Sequence, residues 1–230
     1  MPNTKSLFLS VFAIIIIAAF LCSNTLLADT TSKKSISIKK GWSIFFINKV
    51  GSIELPPTLE SQDGGYKNDT ALNRSIASPF IAQQKGLNNS APEAFNTYAR
   101  VIVKSIVGNV GDFESLNFDV NKVSNKEMLF INNSIKSQIE NELFSINARI
   151  TEWLPVTVEV INGMSCIHIS YKRKINNNPE VLVNIYRFQD YDRMHSLILS
   201  YNLNDADHWR DDFSLILNSF KIDNYKKVTQ

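Results

Sequence analysis

The sequence predicts an α+β domain: an antiparallel β-sheet of about six to eight strands ending in a C-terminal meander, flanked by two amphipathic helices. Three observations lead there. Residues 156–203 alternate apolar and polar positions in runs parted by turns too short for parallel crossovers. Met128, Ile131, Ile135, Ile139, Leu143 and Ile146 recur every three or four residues, the spacing of one helix face. Trp209, Phe213, Ile216, Leu217 and Phe220 repeat that spacing near the C-terminus.

Taken in order, residues 42–47 read as a strand, Asn48-Lys49 as a turn, and residues 51–55 as a second strand stopped by Pro56-Pro57. Proline cannot donate to a ladder. Gln62-Asp63-Gly64-Gly65 is a turn cluster, and residues 76–83 a strand that Pro79 pushes toward an edge. Ser90-Ala91-Pro92-Glu93 has a helix-start pattern with room for a short turn only. The β-branched run 99–107 reads as a strand with both faces partly buried, bounded by Gly108 and Gly111. Ser124-Asn125-Lys126-Glu127 is a capping box that opens the main helix. Asn162-Gly163 is a two-residue hairpin turn, Asn176-Asn177-Asn178-Pro179 makes the next, and residues 189–194 the third. Asp205 is the expected cap of the closing helix.

Residues 1–28 read as a secretory signal peptide, 29–41 as a polar tether, 42–222 as a single domain and 223–230 as a polar tail. Lys5 precedes an apolar run of about 16 residues, short of the ~20 that span a bilayer. An uncleaved anchor and a lipoprotein modified at Cys22 are the rival readings; Phe20-Leu21 argue against the second, because lipoprotein processing wants small residues there. The predicted address is extracytoplasmic, periplasmic or secreted. Lys5 is the leader's single charge, so removing it takes the formal net charge from +2 to +1. A near-neutral domain gives no reason to expect nucleic-acid binding by phosphate neutralisation, which needs many clustered Lys and Arg. If the leader leaves at Ala28, Cys166 is the only thiol, and no intramolecular disulfide can form.

The C-terminal residues Leu197-Ile198-Leu199-Ser200-Tyr201, Trp209 and Asn218-Ser219-Phe220-Lys221-Ile222 resemble the end of the PsbP-like fold. There a strand leads to a helix carrying Trp and then to a Ser-Phe-Lys-Ile-like tail. The chain is also similar to exported proteins of gut-type anaerobic bacteria. The resemblance implies an antiparallel sheet with helices on its faces, and a binding or assembly role more than catalysis. It supplies no set of functional residues.

The residues themselves assign no catalytic residue, no cofactor and no metal site. Cys166 and His168 share a strand face, with His195 two strands on. With strands near 4.8 Å apart, that is about 9–10 Å, too far for one ion. No carboxylate or second cysteine completes a set, and strand-borne Cys166 lacks the cationic setting of a reactive thiol. Asp205, Asp207, His208, Asp211 and Asp212 read as acids gathered at a helix start. Asp190-Tyr191-Asp192-Arg193 reads as a turn, and Lys172-Arg173-Lys174 as a solvated basic run. Trp42, Trp153, Trp209, Phe45 and Phe46 are mostly core; any that cluster outside would mark a partner or glycan surface. The leading expectation is a non-enzymatic accessory module with a protein partner in the cell envelope. A hydrolase-type enzyme assembled from distant loops and a lipid or small-ligand carrier are the rivals.

Overall fold

The computed structural model describes residues 39–62, 80–87, 98–113 and 124–223. The leader, most of the tether, residues 63–79, the helix-start pattern at 90–93 and the tail beyond Asp223 lie outside the described residues.

The chain is α+β, as expected, but its strands make two sheets. The first hairpin, β1 (Ser43–Ile47) and β2 (Gly51–Leu55), joins the final β11 (Lys221–Ile222) in a three-stranded sheet, order β1-β2-β11. The main sheet has eight strands. Its path runs from β3 (Leu59–Ser61) and β4 (Phe80–Gln84) to β5 (Ala99–Val107), then β10 (Arg193–Asn202), β9 (Val181–Asp190), β8 (Met164–Ile175) and β6 (Ala148–Trp153). β7 (Thr157–Ile161) pairs with the first half of β8, beyond where β6 pairs with the second half. Every pairing is antiparallel.

The capping box forms as its residues dictate. Ser124 Oγ accepts from the Glu127 amide and the Glu127 carboxylate accepts from the Ser124 amide, opening α1 (Asn125–Phe144). Ile135, Ile139 and Leu143 face inward, while Ile146 lies past the helix end and is exposed. Asn132 Oδ1 accepts from Trp153 Nε1 and from the Val156 amide, tying α1 to the β6–β7 connection. The closing helix α2 (Ala206–Ser219) follows a short 3-10 turn, Leu203–Asp205. Asp205 makes no side-chain cap; Asn202 Oδ1 instead accepts from the Asn204 amide and caps the 3-10 turn that leads in. The extra turn moves the cap upstream of the acidic residue.

The main sheet separates two cores. On one face Val101, Val103, Cys166, Phe188, Leu197 and Leu199 pack under α2 and the small sheet. Trp209, Phe213, Ile216 and Phe220 of that layer are all at least 96% buried. Full burial of each such side chain contributes roughly 1.5–3 kcal/mol. On the other face Ile169, Tyr171, Val183 and Ile185 pack under Ile135, Ile139 and Leu143 of α1. The described residues thus form three layers, with the main sheet in the middle.

Three element expectations change. β4 lies one strand inside the edge, because the three-residue β3 covers it; Pro79 falls outside the described residues. β6 was hidden by the helix stripe that runs into it, and its register with β8 shifts between Ile150 and Glu152. The turn expected over residues 189–194 is tighter, since β9 reaches Asp190 and β10 starts at Arg193 with Tyr191 at positive φ.

Candidate functional site

The Asn162-Gly163 turn takes positive φ at both positions, 52° and 75°, as a type I′ hairpin requires. A two-residue turn fixes everything behind it: Ile161 meets Met164, Glu159 meets Cys166 and Thr157 meets His168. Asn162 Nδ2 also donates to the carbonyls of Asn218 and Phe220, so the hairpin tip clamps the end of α2.

That register creates a polar cluster on the α2 face of the sheet. His168 Nδ1 lies 2.6 Å from Glu159 Oε1, and its Nε2 lies 3.0 Å from Asn184 Oδ1 on β9. An ionised carboxylate only accepts, so Nδ1 carries the proton. Thr157 Oγ1 donates to Glu159 Oε1 at 3.1 Å. The ring stacks on Tyr186, centroids 4.4 Å apart and planes 9° from parallel. Cys166 sits beside this cluster at zero exposure. Burial pushes its thiol up to about 12, and the Glu159 carboxylate adds to the effect.

A carboxylate thus meets His168, a contact that the sequence reading, which weighed carboxylates only as members of a metal set, does not include. The hairpin register held that information: residues 159 and 168 are diagonal neighbours across any two-residue turn at 162–163. Reading strands singly missed it.

A second pair lies two strands away. His195 Nδ1 is 2.6 Å from Ser105 Oγ, directly across the β5–β10 ladder. Both residues are buried. Desolvation holds the His195 imidazole down to about 4, against weaker upward pulls from Asp190 and Asp192. Phe188 stands between Cys166 and His195 in the register, as the strand-spacing argument anticipated. Among the described residues no three His, Cys, Asp or Glu side chains gather as a metal site would need.

Neither Cys166 nor the Ser105–His195 pair is set up for nucleophilic chemistry. A thiol at about 12 is almost wholly protonated near neutrality, and a thiolate is the reactive form. His195 has the geometry of a base toward Ser105, but both are sealed under the core of α2 and the small sheet, with no exposed face for a substrate. We expect a disulfide-exchange reagent such as Ellman's to modify Cys166 of the folded protein at least about tenfold more slowly than after unfolding in guanidinium. Peptide mapping separates Cys166 from Cys22. Equal rates in both states would show an accessible, activated thiol.

The remaining sequence candidates are scattered by the fold. Asp212 pairs with Lys39 at 3.3 Å and Asp207 with Arg210 at 3.6 Å, while His208 meets the Trp209 ring edge-on. Arg193 donates to the Lys49 carbonyl, and the Tyr191 and Asp192 carbonyls accept amides of the 108–113 loop. Lys172 pairs with Glu152 at 2.5 Å and Arg173 lies over the Tyr98 ring, so two of the three cations in the basic run have partners. Trp42 and Trp209 are buried, Trp153 and Phe45 partly so, and Phe46 is exposed. The tryptophans make no outward cluster.

No protein-family model and no curated protein sequence matches the chain. Solved structures do. A cyanobacterial PsbP from Synechocystis is similar over 84% of this chain and 98% of its own, at 10% identity and a TM-score of 0.49. A Pseudomonas aeruginosa protein of unknown function covers 82% of the chain and 99% of its own length, at 9% identity and 0.38. LpqN, involved in cell envelope biogenesis of Mycobacterium tuberculosis, covers 74% and 81% at 10% identity and 0.41. At such identities the likeness transfers no residue and no role. Among the described residues no helix is long and apolar enough to cross a membrane.

Proposed function

We propose that the chain is an extracytoplasmic, non-enzymatic binding or accessory protein. The observation that carries this reading is the state of its reactive side chains. Cys166, Ser105 and His195 are spent on the interior of the sheet, with the thiol pushed up and the imidazole held neutral by burial. Enzymes arrange the opposite: a nucleophile and base near their working pKa in an open cleft. The apolar opening stretch of the sequence supports export.

The test is cell fractionation followed by N-terminal sequencing. A product that starts at Asp29 in the extracytoplasmic fraction is expected. An intact Met1 on cytosolic protein overturns the address. A fluorophosphonate probe that labels Ser105 of the folded chain overturns the non-enzymatic part.

A further inference from the structure

The α1 face of the main sheet carries an arrangement that neither the sequence nor the proposed role absorbs. Lys104 on β5, Ser196 on β10 and Arg187 on β9 stand in one row across three neighbouring strands, since Ser196 is the register partner of both others. Directly opposed residues point to the same side of a sheet. Arg187 lies two residues from Ile185, and Ser196 two from Ile198, and both isoleucines belong to the core beneath α1. The row therefore faces α1's side, and its two ends lie about 10 Å apart at the backbone.

All three side chains are only partly exposed. Among the described residues neither the Lys104 ammonium nor the Arg187 guanidinium has a hydrogen-bonded or close ionic side-chain partner. Among the described residues the carboxylate that attracts both is Glu142 of α1, which is itself exposed. Burial lowers the pKa of both cations, and Arg187 depresses Lys104 further. Two desolvated cations against one carboxylate are costly, and a fold that needed only packing would place apolar residues there. The cost is relieved by an anion seated between them. Arg offers a planar fork to two oxygens, Lys a point charge, and the Ser196 hydroxyl a donor at the centre.

We propose that Lys104, Ser196 and Arg187 form a site for a phosphoryl-type oxyanion, carried by a soluble phosphate compound or by a lipid headgroup. The site is independent of export, and it stands whether or not the chain leaves the cytoplasm.

The test uses the purified full chain. Inorganic phosphate is titrated by calorimetry, and cosedimentation is measured with phosphatidylglycerol and phosphatidylcholine vesicles. Saturable phosphate binding without vesicle binding assigns a soluble source. Cosedimentation with phosphatidylglycerol but not phosphatidylcholine assigns a headgroup. In either case Arg187→Gln and Lys104→Met should each weaken binding about tenfold or more. Glu142→Gln should tighten it several-fold by removing the opposing charge. Glu142 is exposed, so that variant keeps the test decisive even if Arg187→Gln does not fold. Absence of binding to both probes, or binding unaltered in Lys104→Met and Glu142→Gln, overturns the proposal.

Discussion

Gly51→Ala is expected to destabilise the domain by about 3 kcal/mol. Gly51 opens β2 with φ at 150°, outside what an L side chain adopts readily, and it sits where β2 pairs with β11. A Cβ there would land on the Lys221 carbonyl oxygen and crowd the Ile222 backbone. Backbone cannot move aside as a flexible side chain can, so β11 must leave β2. Phe220 and Ile222, buried at either side of Lys221, would be dragged with it. Gly86→Ala is the control: its φ is 74°, but nothing lies within 4 Å of a Cβ there. It should cost about 1 kcal/mol, the conformational term alone. Urea unfolding of both variants checks this, and equal losses would show that the contact with β11 is unimportant.

Acid should remove about 2 kcal/mol of stability through His195 alone between pH 7 and about 4.5. The imidazole titrates at about 4 in the fold against an ordinary 6.5. Below 6.5 the unfolded chain takes up a proton that the folded chain refuses until near 4. Folding then competes against that proton, and stability falls as the pH drops through the window. The folded protein cannot yield, because a protonated ring would be a charge buried under the α2 core, with Ser105 as its one hydrogen-bonded side-chain partner among the described residues. His195→Gln keeps a polar group toward Ser105 and cannot ionise. Its stability should be lower at pH 7 and fall less steeply toward 4.5 than that of the natural chain. Parallel pH curves for the two proteins would show that His195 titrates normally.

How much of this was legible depends on how far apart in sequence the partners lie. The capping box at Ser124 and Glu127, the stripe Ile135-Ile139-Leu143 and the Asn162-Gly163 turn are local patterns, and each formed as its residues require. The Glu159–His168 contact was within reach too, because a two-residue turn dictates the register of both strands. The Ser105–His195 pair was not. Ninety residues separate the two, and nothing in either strand says that β5 will be the neighbour of β10. The same is true of Lys104, Ser196 and Arg187, which are unremarkable alternating residues until three strands are laid side by side.

The sequence by itself determined the α+β class, the helices, the meander and the apolar opening stretch. These rest on periodicity, capping and turn chemistry, which act over a few residues. Only the tertiary structure decided that β1, β2 and β11 leave the main sheet, that Cys166 and His195 are sealed, and that two cations share a row. Those outcomes depend on which distant strands pair and which face each layer covers, and burial is a property of the assembled layers that no short segment carries alone.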